Sequence, residues 1–270
     1  MPLTKLNFLP GLDTENTETG AEGRWINSDK IRFRKGLPQK IGGWTKFSTT
    51  YYVGVGRALF AWFDLDGSRY EALGTNRKVY TYASGTSQDI TPIRQSNTLA
   101  NVFTTSTSNA NVTVNHTSHG AIVGDFITIA NVSSCDVGGI ANTSLQGEFE
   151  IQYITNTDAY VILTNGTATS TVTDTANCEI DYQISVGPNQ QTLAYGWNTG
   201  AYSDGTWNTP RNTSEVTIDL RQWSLNNWGE DLILTQRNGG TYLWDTSSGM
   251  SVNRATIIAN APTTSTLSVI

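Results

Sequence analysis

Residues 57–82 read Arg57-Ala58-Leu59-Phe60-Ala61-Trp62-Phe63-Asp64-Leu65-Asp66-Gly67-Ser68-Arg69-Tyr70-Glu71-Ala72-Leu73-Gly74-Thr75-Asn76-Arg77-Lys78-Val79-Tyr80-Thr81-Tyr82. Ala58–Phe63 is an apolar run of strand length, and Asp66-Gly67 after it is a hairpin signal. Tyr70–Thr75 predicts a second strand, Asn76-Arg77-Lys78 a polar turn, and Val79–Tyr82 a third strand with alternating aromatics. The same unit returns at 228–245. There Asp231–Thr235 predicts a strand, Asn238-Gly239-Gly240 a turn, and Thr241–Asp245 a strand. Leu73, Tyr80 and Tyr82 match Leu234, Tyr242 and Trp244 in order, with the turn one residue longer. Such a unit cannot bury its faces alone and needs neighbours stacked on it, as the blades of a β-propeller have.

Between the copies the composition changes. From 99 to 185 Thr, Asn, Val and Ser dominate and Trp is absent. Five stretches alternate apolar and polar residues: 112–115, 125–129, 147–151, 159–163 and 178–182. Turn signals at His119-Gly120, Gly138-Gly139 and Asn165-Gly166 separate them, which predicts a small closed or nearly closed barrel inserted between the two blade-like units. The expected organisation is an arm and basic hairpin over 1–50, a first blade over 51–98, the barrel over 99–185, and a Gly/aromatic loop with the second blade over 186–270. The fold class is all-β, partial propeller blades interrupted by a barrel. The bulk composition agrees: charged residues are 15% and hydrophobic residues 37% of the 270, while eight Trp and eleven Tyr supply the apolar volume.

Residues 1–23 lack apolar periodicity and are expected to form an extended arm. Arg24, Lys30, Arg32, Arg34, Lys35 and Lys40 follow, opposed only by Asp29, which leaves 11 basic and 22 acidic residues elsewhere. Ile31 and Phe33 alternate with Lys30, Arg32 and Arg34, so a hairpin with one basic face is expected, turning at 35–38. That face has three readings: solvated surface, a contact to an acidic neighbouring subunit, which is favoured, or a contact to DNA phosphates. The Gly/aromatic loop with Trp197, Tyr202 and Trp207 reads as packing under a turn or against a neighbouring protomer, with a sugar-stacking surface as the alternative.

Chemical motifs are sparse. His116 and His119 with Cys135 or Cys178 would be a minimal zinc set, but histidines in a polar turn are the simpler reading. Two buried free thiols are favoured over a single bridge, and no cofactor is expected. Asp64-Leu65-Asp66-Gly67 lacks the downstream Glu of a calcium loop. Glu148 and Glu150 share a strand face and could flank a glycosidic bond, but solvated outer-face carboxylates are the expectation. No phosphate loop and no nucleophile elbow occur, so no enzyme activity is expected. The sequons at Asn111, Asn115, Asn131, Asn142, Asn165 and Asn212 follow from composition. Met1–Pro10 does not have the pattern of a secretory signal, and no apolar stretch is long enough for a membrane helix, so a soluble protein made in a cytoplasm is expected.

Four segments together resemble the nozzle protein, or tail tubular protein B, of short-tailed bacteriophages: Asp29–Trp44, the loop 195–207, Trp223–Leu232, and His119-Gly120 through Gly124-Asp125. The resemblance implies a propeller interrupted by a platform barrel, and a virion protein in a ring of six at the tail tip. It further implies docking to a tail adaptor and to fibres, with double-stranded DNA passing through the channel without specific recognition. Two blade units cannot close a propeller, so a longer polypeptide or a shortened member is expected. A carbohydrate-binding or carbohydrate-cleaving host-recognition protein and a plug on packaged DNA are the alternatives.

Overall fold

A computed structural model of the protein describes residues 8–43, 45–133, 136–189, 220–250 and 253–269. The chain divides into two units, Met1–Thr49 and Thr50–Ile270. Among the described residues no helix is long and apolar enough to cross a membrane.

In the first unit β1 (Ile31–Arg34) pairs antiparallel with β2 (Leu37–Lys40). The turn is tighter than the sequence suggested. Lys35 and Gly36 form it alone, both at positive φ (50° and 79°), the backbone that a two-residue hairpin needs. Leu37 and Pro38 belong to the return strand, and Pro38 is tolerated because β2 is an edge. The preceding segment is not the extended arm expected. Leu12 bridges Trp25, the Leu9 and Asp13 amides donate to the Gly23 and Trp25 carbonyls, and Trp25 packs between the rings of Phe8 and Phe33.

Among the described residues the second unit holds three sheets, all antiparallel. The first blade is β3 (Gly56–Phe63), β4 (Arg69–Thr75), β5 (Val79–Ala83) and β6 (Thr86–Asp89) in sequential order. The insert contains β7 (Ile93–Leu99), β8 (Phe103–Thr105), β9 (Asn111–Asn115), β10 (Phe126–Ala130), β11 (Gly147–Asn156), β12 (Ala159–Leu163), β13 (Val172–Thr175) and β14 (Cys178–Gln183). Its spatial order is β13-β8-β9-β12-β11-β10-β14-β7. The second blade is β15 (Trp223–Trp228), β16 (Asp231–Gln236), β17 (Thr241–Trp244) and β18 (Thr256–Ile257).

The insert curls around one core made of the inward residues of nearly every strand, among them Phe103, Val114, Ile127, Ile151, Tyr160 and Ile180. Its two edge strands, β13 and β7, are not paired to each other, so it is a half-barrel and not a closed one. Strand β7 pairs with β14, so the sheet takes in residues from Ile93, six positions before the change in composition. The chain enters and leaves the insert side by side, with the Ile184 amide donating to the Pro92 carbonyl at 3.0 Å.

The two blades share a second core, and its register shows how they stack. Leu59, Leu73 and Tyr80 form a cross-strand row in the first blade, and Leu225, Leu234 and Tyr242 form the matching row in the second. The second row faces the shared core. The first row points away from it, because the first blade buries the alternate residues Trp62, Tyr70 and Ala72. Matched faces therefore point the same way round, as in a head-to-tail stack, and not toward each other as in a two-fold sandwich. Close approach occurs at Gly74, where an added Cβ would lie 2.6 Å from the Trp223 ring. The Trp223 indole N–H donates to the Thr75 carbonyl beside it at 2.8 Å.

Candidate functional site

The turn Asn76-Arg77-Lys78 reads in the sequence as a simple polar connection, yet it carries the densest charge arrangement among the described residues. Thr75 shapes it by accepting from the Lys78 amide at 2.8 Å and donating to the Lys78 carbonyl at 2.9 Å. The turn pushes Lys78 between the first blade and the insert, where its side chain is 3% exposed. Its Nζ donates to Asp89 Oδ2 at 2.8 Å and to Glu148 Oε1, and lies 4.3 Å from the centre of the Phe126 ring. Arg254, from the end of the second blade, reaches both carboxylates, at 3.3 Å from Asp89 and 3.6 Å from Glu148. Gln183 Nε2 donates to Glu148 at 2.7 Å. Alongside, Arg77 pairs with Glu150 at 2.5 Å, donates to the Gly124 carbonyl, and lies 4.7 Å from the centre of the same Phe126 ring.

Three cations and three carboxylates thus join first blade, insert and second blade. A buried lysine is tolerable only when paired and hydrogen-bonded, and Lys78 meets both conditions. Burial alone would raise the Asp89 carboxyl, but Arg254, Lys78 and the hydrogen bonds from Lys78 and Thr91 outweigh it, and its pKa is lowered. Glu148 and Glu150 are therefore not the solvated outer-face pair that the sequence suggested. They share a face, as the strand period requires, but each is held by cations.

The histidines are likewise committed to the insert. His119 is buried, its Nδ1 accepts from the Ala121 amide at 3.0 Å, and its Nε2 lies 3.3 Å from the Asn156 carbonyl. His116 Nδ1 and the Tyr182 hydroxyl are 2.7 Å apart, and that hydroxyl is 2.8 Å from the Tyr160 hydroxyl. Burial lowers the His116 pKa, followed by the effects of His119 and Arg94. Cys178 faces the insert core, where burial pushes its thiol up to about 12; Cys135 lies outside the described residues. Among the described residues no cluster of three or more His, Cys, Asp or Glu could hold a metal. Asp64 accepts from the Ser68 amide at 2.7 Å and closes the hairpin loop. A polar cleft of 580 Å³ opens on the insert, lined among others by Asn101, Asn115, His116 and Asp158.

The basic hairpin face is narrower than the alternation predicted. Arg32 and Arg34 are exposed on it, Arg32 donating to Gln39 Oε1 at 3.2 Å. Lys30 stands just before the strand at φ 54°, beside Asp29, and Lys40 pairs with Ile31 on the opposite face. Arg24 is 3.7 Å from Asp13. Trp197, Tyr202 and Trp207 lie outside the described residues.

Apolar surface is exposed at the far sides of the blade stack. Leu59 and Phe63 are 66% and 62% exposed on the outward face of the first blade, and Trp228 is 64% exposed on the second. Sequence reasoning missed this: Ala58–Phe63 reads as an apolar strand with no sign of which face stays exposed, and Trp223–Trp228 is not among the predicted strands.

No protein-family model and no curated protein matches the chain. Among solved structures it is similar to the Phage phi92 endosialidase, with a TM-score of 0.29 and 12% identity over 83% of this chain. The chain spans 32% of that protein's length, and a likeness at this level speaks to neither fold nor activity.

Proposed function

We propose that this chain is a structural component of a bacteriophage tail, part of a terminal ring that conducts DNA and docks the tail adaptor and fibres. One observation carries the reading: two blades stacked head to tail, with a β-sheet domain inserted between them and tied to the first by the buried Lys78 and to the second by the partly exposed Arg254–Glu148 pair. A rigid, interrupted scaffold of that kind suits a load-bearing wall. The resemblance of Asp29–Trp44 and Trp223–Leu232 to tail-protein segments supports assigning that wall to a tail. The charge distribution is compatible with a conduit. Outside residues 24–40 the chain carries 22 acidic and 11 basic residues, a balance that repels phosphates and keeps DNA moving. The exposed Arg32 and Arg34 then serve contacts with an acidic neighbouring protein surface.

Electron microscopy of assembled tails, with native mass measurement of the detached tip, tests the proposal. The expected result is a ring of six copies at the tail end. A chain absent from virions overturns it. The carbohydrate-cleaving alternative is disfavoured by the pairing of Glu148 and Glu150. It would require release of reducing ends from host polysaccharide, abolished by Glu148→Gln in a variant shown to remain folded.

A further inference from the structure

The insert contains a hydrogen-bonded chain that runs from its core to its polar cleft. The fully buried Tyr160 and Tyr182 hydroxyls are 2.8 Å apart, and the Tyr182 hydroxyl is 2.7 Å from His116 Nδ1. The chain has a direction. Tyr160 has no other acceptor for its hydroxyl among the described residues, so it donates to Tyr182, and Tyr182 donates to Nδ1. Neutral His116 therefore carries its proton on Nε2. Protonating the ring would turn both bonds round and leave the Tyr160 proton buried without an acceptor, in keeping with the lowered His116 pKa. Arg94, 5.1 Å from the Tyr182 ring centre and donating to the His119 carbonyl, opposes a second positive charge there.

With Nδ1 turned to the core, the Nε2 edge is left to the cleft that His116 lines. Two hydrogen bonds build the wall beside it. The His116 amide donates to the Asp158 carbonyl and the Ser118 amide to Asp158 Oδ1, each at 2.8 Å. Asp158 Oδ2, the Asn101 side chain and the Thr117 hydroxyl also line the cleft and have no protein partner among the described residues.

We infer that this cleft is a binding site for a neutral, hydroxyl-rich ligand, a mono- or disaccharide, with His116 Nε2–H as donor and Asp158 Oδ2 as acceptor. Its 580 Å³ is the size that takes a small organic ligand. The lining excludes other classes. No Lys or Arg lines it to hold a phosphate or sulfate, and one carboxylate is too few for a divalent cation. Ala100 and Ala159 offer no floor for an acyl chain or a stacked base. The fixed Nε2–H beside Asp158 disfavours an ammonium group. A carboxylate that accepts from adjacent hydroxyls, with an N–H aimed at a ring or hydroxyl oxygen, suits a sugar. Tyr182 acts as a positioning residue, since it sets which nitrogen of His116 holds the proton. The site lies beyond the opposite end of β11 from Glu148. It uses the insert alone and holds whether or not the protein belongs to a tail.

Nuclear magnetic resonance of the nitrogen-15-labelled chain tests it. Long-range proton–nitrogen spectra should place the neutral His116 proton on Nε2, and Tyr182→Phe should raise the His116 pKa and even out the two tautomers. Glucose, galactose, N-acetylglucosamine and their disaccharides are then titrated in, with inorganic sulfate as the anionic control. At least one sugar should shift the His116 ring and the Ser118 amide saturably, and sulfate should not. Asp158→Asn keeps an acceptor for the Ser118 amide but loses the charge, and should weaken binding about tenfold. Tyr182→Phe keeps every lining group and should weaken it about twofold or more, as half the rings lose the Nε2 proton. Backbone spectra away from the cleft check that both variants are folded. The inference is overturned by a His116 proton on Nδ1, by no response to any sugar, by sulfate binding as tightly, or by sugar binding that Asp158→Asn leaves unchanged.

Discussion

The insert and the blade pair are built from the same kind of antiparallel strand, yet they solve burial differently. The insert has eight strands and curls, so its inward side chains meet one another across a single sheet. Val and Ile fill most of that space, with Tyr160 and Tyr182 linked by their hydroxyls. Each described blade has four strands, too few to curl around anything, and buries its main apolar cluster against the other blade. Its core is correspondingly aromatic, with Trp62, Tyr70, Trp223, Tyr242 and Trp244 spanning the gap. Strand number thus separates a sheet that closes its own core from one that needs a neighbour on each face.

Trp244 gives the largest expected effect on that contrast. It is fully buried between the blades, and Trp244→Ala should cost about 3–5 kcal/mol. In denaturant the blade aromatics should lose their signal first while the insert persists. If both melt together, the insert is not an independent core and the contrast fails. Lys78→Ala comes next, since it leaves Asp89 and Glu148 short of a buried partner, at about 3 kcal/mol. The pH dependence follows from the lowered Asp89 pKa. The stabilisation is full above the ordinary Asp range and is lost as pH falls through the lowered value. In Lys78→Ala the acid transition should move to higher pH, readable by circular dichroism. Gly74→Ala should cost roughly 1–3 kcal/mol, because its Cβ meets the Trp223 ring and the blades must move apart. Tyr160→Phe should cost about 1 kcal/mol and act on the insert alone, measured as a shift of its unfolding midpoint.

What was legible in the sequence follows the same division. The five alternating stretches of the insert appear as β9, β12, β11, β10 and β14, five consecutive neighbours in the sheet. Alternation marks a strand with one buried face, which is what the curl creates. Leu73 with Tyr80 and Leu234 with Tyr242 are true cross-strand pairs, so the internal match had a structural basis. Strand β6, Thr-Ser-Gln-Asp, has no apolar residue to show a period, and it is ordered by the strand beside it. β15 was obscured by Asn226-Asn227, which reads as a turn. The ion network was invisible for another reason. Lys78 and Glu148 are 70 residues apart, and nothing local distinguishes a lysine in a solvated turn from one driven into a domain junction.

The adjacent strands through which the insert joins the blades have a mechanical consequence. Pulling on the insert would load β7 and β14 at the same end, where the Ile184–Pro92 hydrogen bond lies. Bonds loaded that way break in succession, like a zip, and not all at once in shear. Such a joint would be weak by itself. The ion pairs from Lys78, Arg77 and Arg254 bridge it from the side, so tension would have to break several charged contacts before the zip could start. The junction would then act as a force fuse, stiff under small loads and yielding in a single step once the charges separate.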